Sequence, residues 1–429
     1  MATSPTKVTI RTYHVGFGDC FLLSFQYGPQ SEKHVLIDFG STGLPPGTPK
    51  SRMMDIALDI KQRTKGKLNA VVVTHRHKDH LSGFETKSNG KGTGDVIRSL
   101  KPDLVVQPWT EDPKLATTAT EPQARSLGTG AGKQVVALSM MQHVAEQTLL
   151  EARQTRYFGK ELKDQLSFLG ESNIANPSAV KNLMTMATND YIYCGKKTEL
   201  EKVLPGVKVN VLGPPTVKQT DTIKKQRSED PDEFWQLQAN AMGFAASSDR
   251  EGPTLFPRYV RSRGPNFPVD ARWLIFHART TRGEQLLEIV RILDTAMNNT
   301  SVILVFQVGQ KRLLFPGDAQ IENWQYALSQ ATFKPLLSSI NVYKVGHHGS
   351  RNATPKSLWK MFKNKSTSRH AARRLVSLMS TMEDKHGTEG SHTEVPRRSL
   401  VSELNRQSNL FSTQELKGPD FFHDTEVNF

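Results

Sequence analysis

Apolar and polar residues alternate along Val8-Thr9-Ile10-Arg11-Thr12-Tyr13, the period of a strand with one face turned inward. Phe21 to Phe25 and His34 to Asp38 predict a second and a third strand, with Gly16-Phe17-Gly18-Asp19 and Gly28-Pro29 as turns. Met53, Ile56, Ala57 and Ile60 recur at helical spacing, and the unbroken apolar run Ala70-Val71-Val72-Val73 follows. Asp95 to Leu100 predicts a helix ahead of Leu104-Val105-Val106. Strands alternating with helices predict a layered α/β core.

The pattern then lapses. Residues 110 to 200 read as a helical insertion, with a Gly-, Thr- and Ser-rich start and a helical stretch from Val135 to Phe158. Strand character returns at Val207 to Leu212, ended by Gly213-Pro214-Pro215, and a second insertion is expected over residues 216 to 297. Ser301 to Phe306, a turn around Gly309-Gln310 and Arg312 to Phe315 predict a hairpin that delivers Pro316-Gly317-Asp318. Asn341 to Val345 predicts a strand that delivers Gly346-His347-His348-Gly349-Ser350, and Arg397 to Arg406 predicts a helix. The whole of residues 1 to 429 is expected to form one elaborated domain.

Composition narrows the classes. Hydrophobic residues make up 37% and charged residues 23%, with no apolar stretch of spanning length, so a membrane-resident protein is not expected. Met1-Ala2-Thr3-Ser4-Pro5 runs straight into a strand-like segment, which predicts no signal peptide and a cytoplasmic protein. Cys20 and Cys194 are the two cysteines, too few for a disulfide framework or a Cys-rich zinc module. A metal would therefore be held by His, Asp and Glu. The net charge of +14 favours anionic partners, nucleic acid first. Between Glu322 and Glu383 the chain has no acidic residue but ten basic ones, from Lys334 to Arg374, for which a solvated face is the plain alternative.

The densest chemistry is Thr74-His75-Arg76-His77-Lys78-Asp79-His80. In extended backbone His75 and His77 point to the same side, and Asp79 and His80 follow where the chain turns. Imidazoles with carboxylates suit Zn²⁺ or a similar divalent ion, and two such ions can clamp an attacking and a leaving oxygen. Asp318 and the pair His347 and His348 also stand directly after apolar strands, so residues distant in sequence can converge on one sheet edge. Gly16-Phe17-Gly18 lacks the third glycine of a dinucleotide fingerprint. Ser350 is set aside as a nucleophile, since no base for it is evident in the sequence.

Asp38 in Ile37-Asp38-Phe39-Gly40, the HxHxDH run, Asp318 after Pro316-Gly317 and the segment Lys344 to Ser350 together resemble the metallo-β-lactamase superfamily. More narrowly they resemble its branch containing the hydrolase domain of the competence protein ComEC. The likeness extends to Val15-Gly16-Phe17-Gly18-Asp19 and Leu212-Gly213-Pro214-Pro215 and leaves out both insertions. It implies an αββα sandwich and two divalent ions, Zn²⁺ first and Mn²⁺ second. His75 and His77 would hold one ion; Asp79, His80 and His347 the other; Asp318 would bridge them. His348 stands beside His347 as an alternative ligand or proton donor, and Asp38 and Asp19 support the ligands from behind. His14 stands where the competence proteins usually have Asp. No third histidine for the first ion is evident; His143 is nearest, on an amphipathic segment. His392 matches a His-Pro segment of that branch as a phosphate binder or general acid, with an exposed helix-cap histidine as the alternative. Arg351 and Lys356 would hold substrate phosphate.

The activity implied is hydrolysis of phosphodiester bonds, a nuclease acting on DNA, single-stranded first, or on RNA. A metallo-hydrolase of a small ester, lactone, thioester or cyclic nucleotide is the first competitor, and a non-enzymatic effector or binding module of the same fold the second. Strong salt dependence of substrate affinity separates the polyanion from the small neutral substrate.

Overall fold

Val71 and Val72 point in opposite directions along one strand, yet both are fully buried. An apolar layer must therefore cover each face, as it does where parallel strands lie inside an α/β protein. The computed structural model describes residues 4–112, 166, 176–216, 218–220, 298–350, 354–383, 385, 394–417 and 419–429. Within them the chain is mixed α/β, with two mixed sheets and flanking helices.

The first sheet takes β1 (Lys7–Tyr13), β2 (Cys20–Gly28), β3 (Ser31–Phe39), β4 (Ala70–Val72), β5 (Leu104–Pro108) and β6 (Thr188–Ile192). The second takes β7 (Lys208–Gly213), β8 (Ile303–Val308), β9 (Lys311–Phe315), β10 (Val342–Lys344), β11 (Val376–Met379) and β12 (Asn409–Ser412). The last strand, β13 (Phe422–Asn428), returns to the first sheet beside β1. The sheet orders are β13-β1-β2-β3-β4-β5-β6 and β12-β11-β10-β9-β8-β7. Each sheet begins antiparallel and becomes parallel, from β3 to β6 in the first and from β9 to β12 in the second.

One apolar cluster joins the sheets, with Phe21, Phe25, Ile37 and Val72 from the first and Phe306, Phe315, Val342 and Leu378 from the second. Phe21 meets Phe315 edge-on with ring centroids 5.8 Å apart, a favoured aromatic geometry. The opposite face of the first sheet, with Leu36, Val71 and Val105, packs on α1 (Arg52–Arg63), α3 (Thr93–Ser99) and α4 (Pro177–Met186); α2 (Lys78–Leu81) caps the end of β4. Short α5 (Leu200–Val203) brings Leu200 into the cluster between the sheets. The far face of the second sheet packs on α6 (Ile321–Ser329), α7 (Lys334–Ser338), α8 (Lys356–Met361) and α9 (Arg398–Gln407), through Trp324, Leu337, Trp359 and Leu404 among others.

The insertion expected over 110 to 200 needs correction at its end. Residues 177 to 200 carry α4 and β6, and β6 extends the first sheet parallel to β5, Leu104 beside Thr188 through Pro108 beside Ile192. Thr188-Asn189-Asp190-Tyr191-Ile192 is an edge strand and carries the polar residues an edge tolerates, so it lacks the apolar signature of the central strands. The polar edge strand β13 escaped the sequence pattern for the same reason. The helical stretch from Val135 to Phe158, and the second insertion apart from 216 and 218 to 220, lie outside the described residues. No helix among the described residues is long and apolar enough to cross a membrane.

Candidate metal centre

Every group in the candidate centre is delivered by the same edge of its sheet. β3 ends on Asp38 and Phe39, β4 leads into Thr74 to His80, β9 into Gly317 and Asp318, β10 into His347 and His348, and β11 into Ser380. β2 runs antiparallel to β3 with Cys20 opposite Phe39, so Asp19 arrives at that edge from the other direction. Strand C-termini are where open α/β sheets gather ligands, because the connecting loops splay there.

Within that edge Asp79, His80, Asp318 and His348 form one cluster whose ligand atoms all lie within 4.8 Å of one another, and all four side chains are buried. His80 is held at both ring nitrogens, Nδ1 2.8 Å from Asp38 Oδ2 and Nε2 3.1 Å from Asp318 Oδ2. His348 is held in the same way, Nδ1 donating to the Ser380 carbonyl at 3.0 Å and Nε2 to Asp79 Oδ2 at 2.8 Å. Asp38 is itself fixed by the Thr74 backbone N–H and hydroxyl, both at 2.7 Å. Phe17 lies against the His348 ring with centroids 4.3 Å apart.

The backbone is bent to make this possible. Asp38, His347 and His348 have φ of 55°, 44° and 51°, a left-handed conformation uncommon for residues other than glycine. Such outliers cluster where surrounding structure enforces them, often at functional sites. Gly40 lets β3 approach the ligand turn: a Cβ there would stand 2.6 Å from the Asp79 carbonyl oxygen.

The electrostatics call for positive charge. Asp19, Asp38, Asp79 and Asp318 are all buried, and Lys344, ion-paired to Asp19, is a fixed cation among them. Burial works against ionising His80 and His348, but the carboxylates, Asp318 foremost, outweigh it and raise both above the ordinary imidazole range. Burial likewise opposes ionising Asp79 and Asp318, but His80 and His348 together, joined by Lys344 at Asp318, outweigh it, so both stay below the carboxylate range. Burial pushes Asp19 up. His75 goes the other way: burial, then His80 and His77, hold it well below the ordinary value and so neutral.

These features fit a divalent ion. Each Nε2–H of His80 and His348 points at a carboxylate oxygen, so an ion replacing that proton meets an imidazole nitrogen and carboxylates together. Asp79 Oδ1 is buried with no hydrogen-bond partner among the described residues, an acceptor that a cation would satisfy. The identity and number of ions do not follow from this geometry.

The remaining expected ligands divide. His75 and His77 are buried side by side, His75 Nε2 2.9 Å from His77 Nδ1, and the His75 ring lies tilted against that of His80 with centroids 4.1 Å apart. No three-ligand group among the described residues includes either. Of the two histidines left as alternatives at the strand end, His348 rather than the first-named His347 turns into the cluster; His347 is half-buried with Nδ1 2.9 Å from Ser350 Oγ. The sequence reading found no base for Ser350, and this contact supplies an imidazole beside it. Asp38 and Asp19 lie beside His80 and form with it a second buried group that could hold a metal ion, and Lys356 is exposed at the start of α8, outside both groups. His143, Arg351 and His392 lie outside the described residues. Sequence reading missed Thr74, Ser380 and the full part of Lys344. For Lys344 a signal existed, a cation flanked by Val342, Tyr343 and Val345 in a strand.

No family model matches the chain, and no curated protein matches it.

Proposed function

We propose that this chain is a metal-dependent hydrolase of phosphodiester bonds, a nuclease acting on DNA or RNA, with single-stranded DNA as the first substrate to test. The observation that carries the reading is the buried convergence of Asp79, His80, Asp318 and His348 from three separate chain segments. The apolar clusters between the sheets and on their outer faces support taking the architecture as the αββα sandwich of the metallo-β-lactamase superfamily. On that reading His75 and His77 would hold a further divalent ion.

Divalent ions held there, Zn²⁺ or Mn²⁺, would supply Lewis acidity, polarising a phosphate oxygen and making water acidic enough to attack near neutral pH. The chain's own residues do the rest. Asp38 and the Ser380 carbonyl hold the Nδ1–H of His80 and His348, which leaves Nε2 as the ligand atom on both rings. Asp79 and Asp318 bring the negative charge that retains the ions. With His348 assigned to the ligand set, proton delivery to the leaving oxygen falls to His347, His392 or water. The basic stretch between Glu322 and Glu383 supports a polyanionic substrate through exposed Lys356, Lys360, Lys363, Arg369 and Arg373. Two other members are turned inward, Lys344 in the site and Arg374 on the carbonyls of Asn405 and Arg406.

Metal analysis joined to a nuclease panel tests the reading. The metal-loaded protein should cleave DNA or RNA, with affinity falling steeply as salt rises, and Asp318→Ala should abolish cleavage while the protein remains folded. Metal-loaded protein that cleaves no DNA, no RNA and no generic phosphodiester such as bis(p-nitrophenyl) phosphate refutes it.

A further inference from the structure

Lys344 is a lysine in the interior of a sheet. On β10 it lies between Tyr343 and Val345, both fully buried, and it is itself 2% exposed. Its ammonium is ion-paired with Asp19, lies 3.4 Å from Asp318 Oδ1, and donates to the Gly317 carbonyl at 3.2 Å. Taking an ammonium out of water is costly and is compensated only where geometry and hydrogen bonding are good. Here all the recorded partners sit at the metal-type cluster or on the loop that carries it.

The effect on Asp318 is specific to one oxygen. Oδ1 faces the Lys344 ammonium and accepts the His347 backbone N–H at 3.0 Å. Oδ2 faces the other way, 3.1 Å from His80 Nε2 and 3.5 Å from His348 Nε2. We propose that Lys344 is a positioning residue of the metal centre: by holding Asp318 Oδ1, and by anchoring on Asp19 behind it, the ammonium presents Oδ2 alone to the ion. The carboxylate is then oriented before the ion arrives, so binding does not have to order it. His347 contributes through its backbone N–H, which explains why this neighbour of His348 matters to the turn without turning its ring into the cluster. The proposal rests on the metal-hydrolase reading and deepens it.

The experiment uses full-length wild type, Asp19→Asn, the double variant Lys344→Met with Asp19→Asn, and Lys344→Gln. Zn²⁺ affinity is measured by chelator competition at one pH, with thermal unfolding as the control for folding. The double variant removes an ammonium and a carboxylate together, keeping the buried charge balanced, and is expected to fold. It should bind Zn²⁺ about 10- to about 100-fold more weakly than Asp19→Asn alone, the range seen when an outer partner of a ligand is lost. Lys344→Gln, which drops the charge but keeps an N–H donor, should show a smaller loss in the same direction. If the double variant binds as Asp19→Asn does, or folded Lys344→Gln binds as wild type does, Lys344 is a packing and charge-balance residue and the proposal is overturned, with the metal reading intact. Wild type that takes up no divalent ion overturns both.

Discussion

His347 and His348 are chemically identical neighbours, and the backbone gives them different environments. With both in the left-handed region, the turn drives His348 inward against Asp79 and leaves His347 half-buried beside Ser350. His348→Ala should weaken metal binding by more than about 100-fold, beyond the loss expected for an outer partner. His347→Ala should keep affinity within about tenfold of wild type, because its backbone N–H to Asp318 survives the substitution. Isothermal titration of the two variants decides the assignment. A pH dependence belongs to the same residues. His80 and His348 are raised above the ordinary 6.5, so in chelator-treated protein their charged forms stabilise the fold below that value, and the contribution is lost as pH rises through the raised values. Asp79 and Asp318 are lowered, so their contribution is present above the ordinary 3.8 and lost as pH falls below it. A divalent ion must displace the imidazole protons, so its apparent affinity should climb with pH until the raised values are passed, by up to about tenfold per pH unit for each proton displaced. Chelator competition from about pH 5 to about pH 9 measures this; a flat profile would place the ion elsewhere.

At the level of elements, the centre depends on how closely strand ends approach one another. The Asp19 backbone N–H donates to the Asp79 carbonyl at 3.0 Å, the Gly40 N–H donates to the Asp19 carbonyl at 3.1 Å, and no side chain fits between. Gly40→Ala should therefore push α2 away from β3, with a stability cost of about 1 to 3 kcal/mol from overpacking and a disproportionate loss of metal affinity. Denaturant unfolding beside a metal titration separates the two effects. Unchanged metal binding would show that the turn relaxes without moving Asp79 or His80. Much of this level was legible in sequence. Strands β1 to β5 and β7 to β10, with α1 and α3, carry apolar periodicity strong enough to find, although β7 lies at the edge of the second sheet. The edge strands β6 and β13 of the first sheet do not, since one side of each has no strand to satisfy and polar residues are tolerated there. Strands β11 and β12, four residues each, are too short to show a period.

Across the whole molecule, the site exists because two sheets pack face to face. Phe306 stands in that packing with Phe25 6.1 Å away across the sheets and Phe315 6.0 Å away beside it, by ring centroids. Phe306→Ala should cost about 3 to about 5 kcal/mol through lost burial and the cavity left behind. Because Asp318 and His348 reside on one sheet and Asp79 and His80 on the other, loosened packing should also weaken metal binding, though no ligand is touched. Equilibrium unfolding and a metal titration on the same sample test this coupling, and full metal affinity in the destabilised variant would refute it.

The chain's local pattern determined strands β1 to β5 and β7 to β10 with α1, α3 and α9, and placed HxHxDH, Asp318 and the His347-His348 pair at strand ends, because hydrophobic period and turn residues are properties of short segments. Tertiary structure decided which histidine of the pair enters the site, that Lys344 and Ser380 serve it, and that β6 and β13 complete the first sheet. Those outcomes depend on contacts between residues far apart in sequence, such as Asp79 with His348 or Asp19 with Lys344. A backbone bent to positive φ or an ammonium buried between two carboxylates is stable only when the surrounding fold compensates for it, and no short segment contains that compensation.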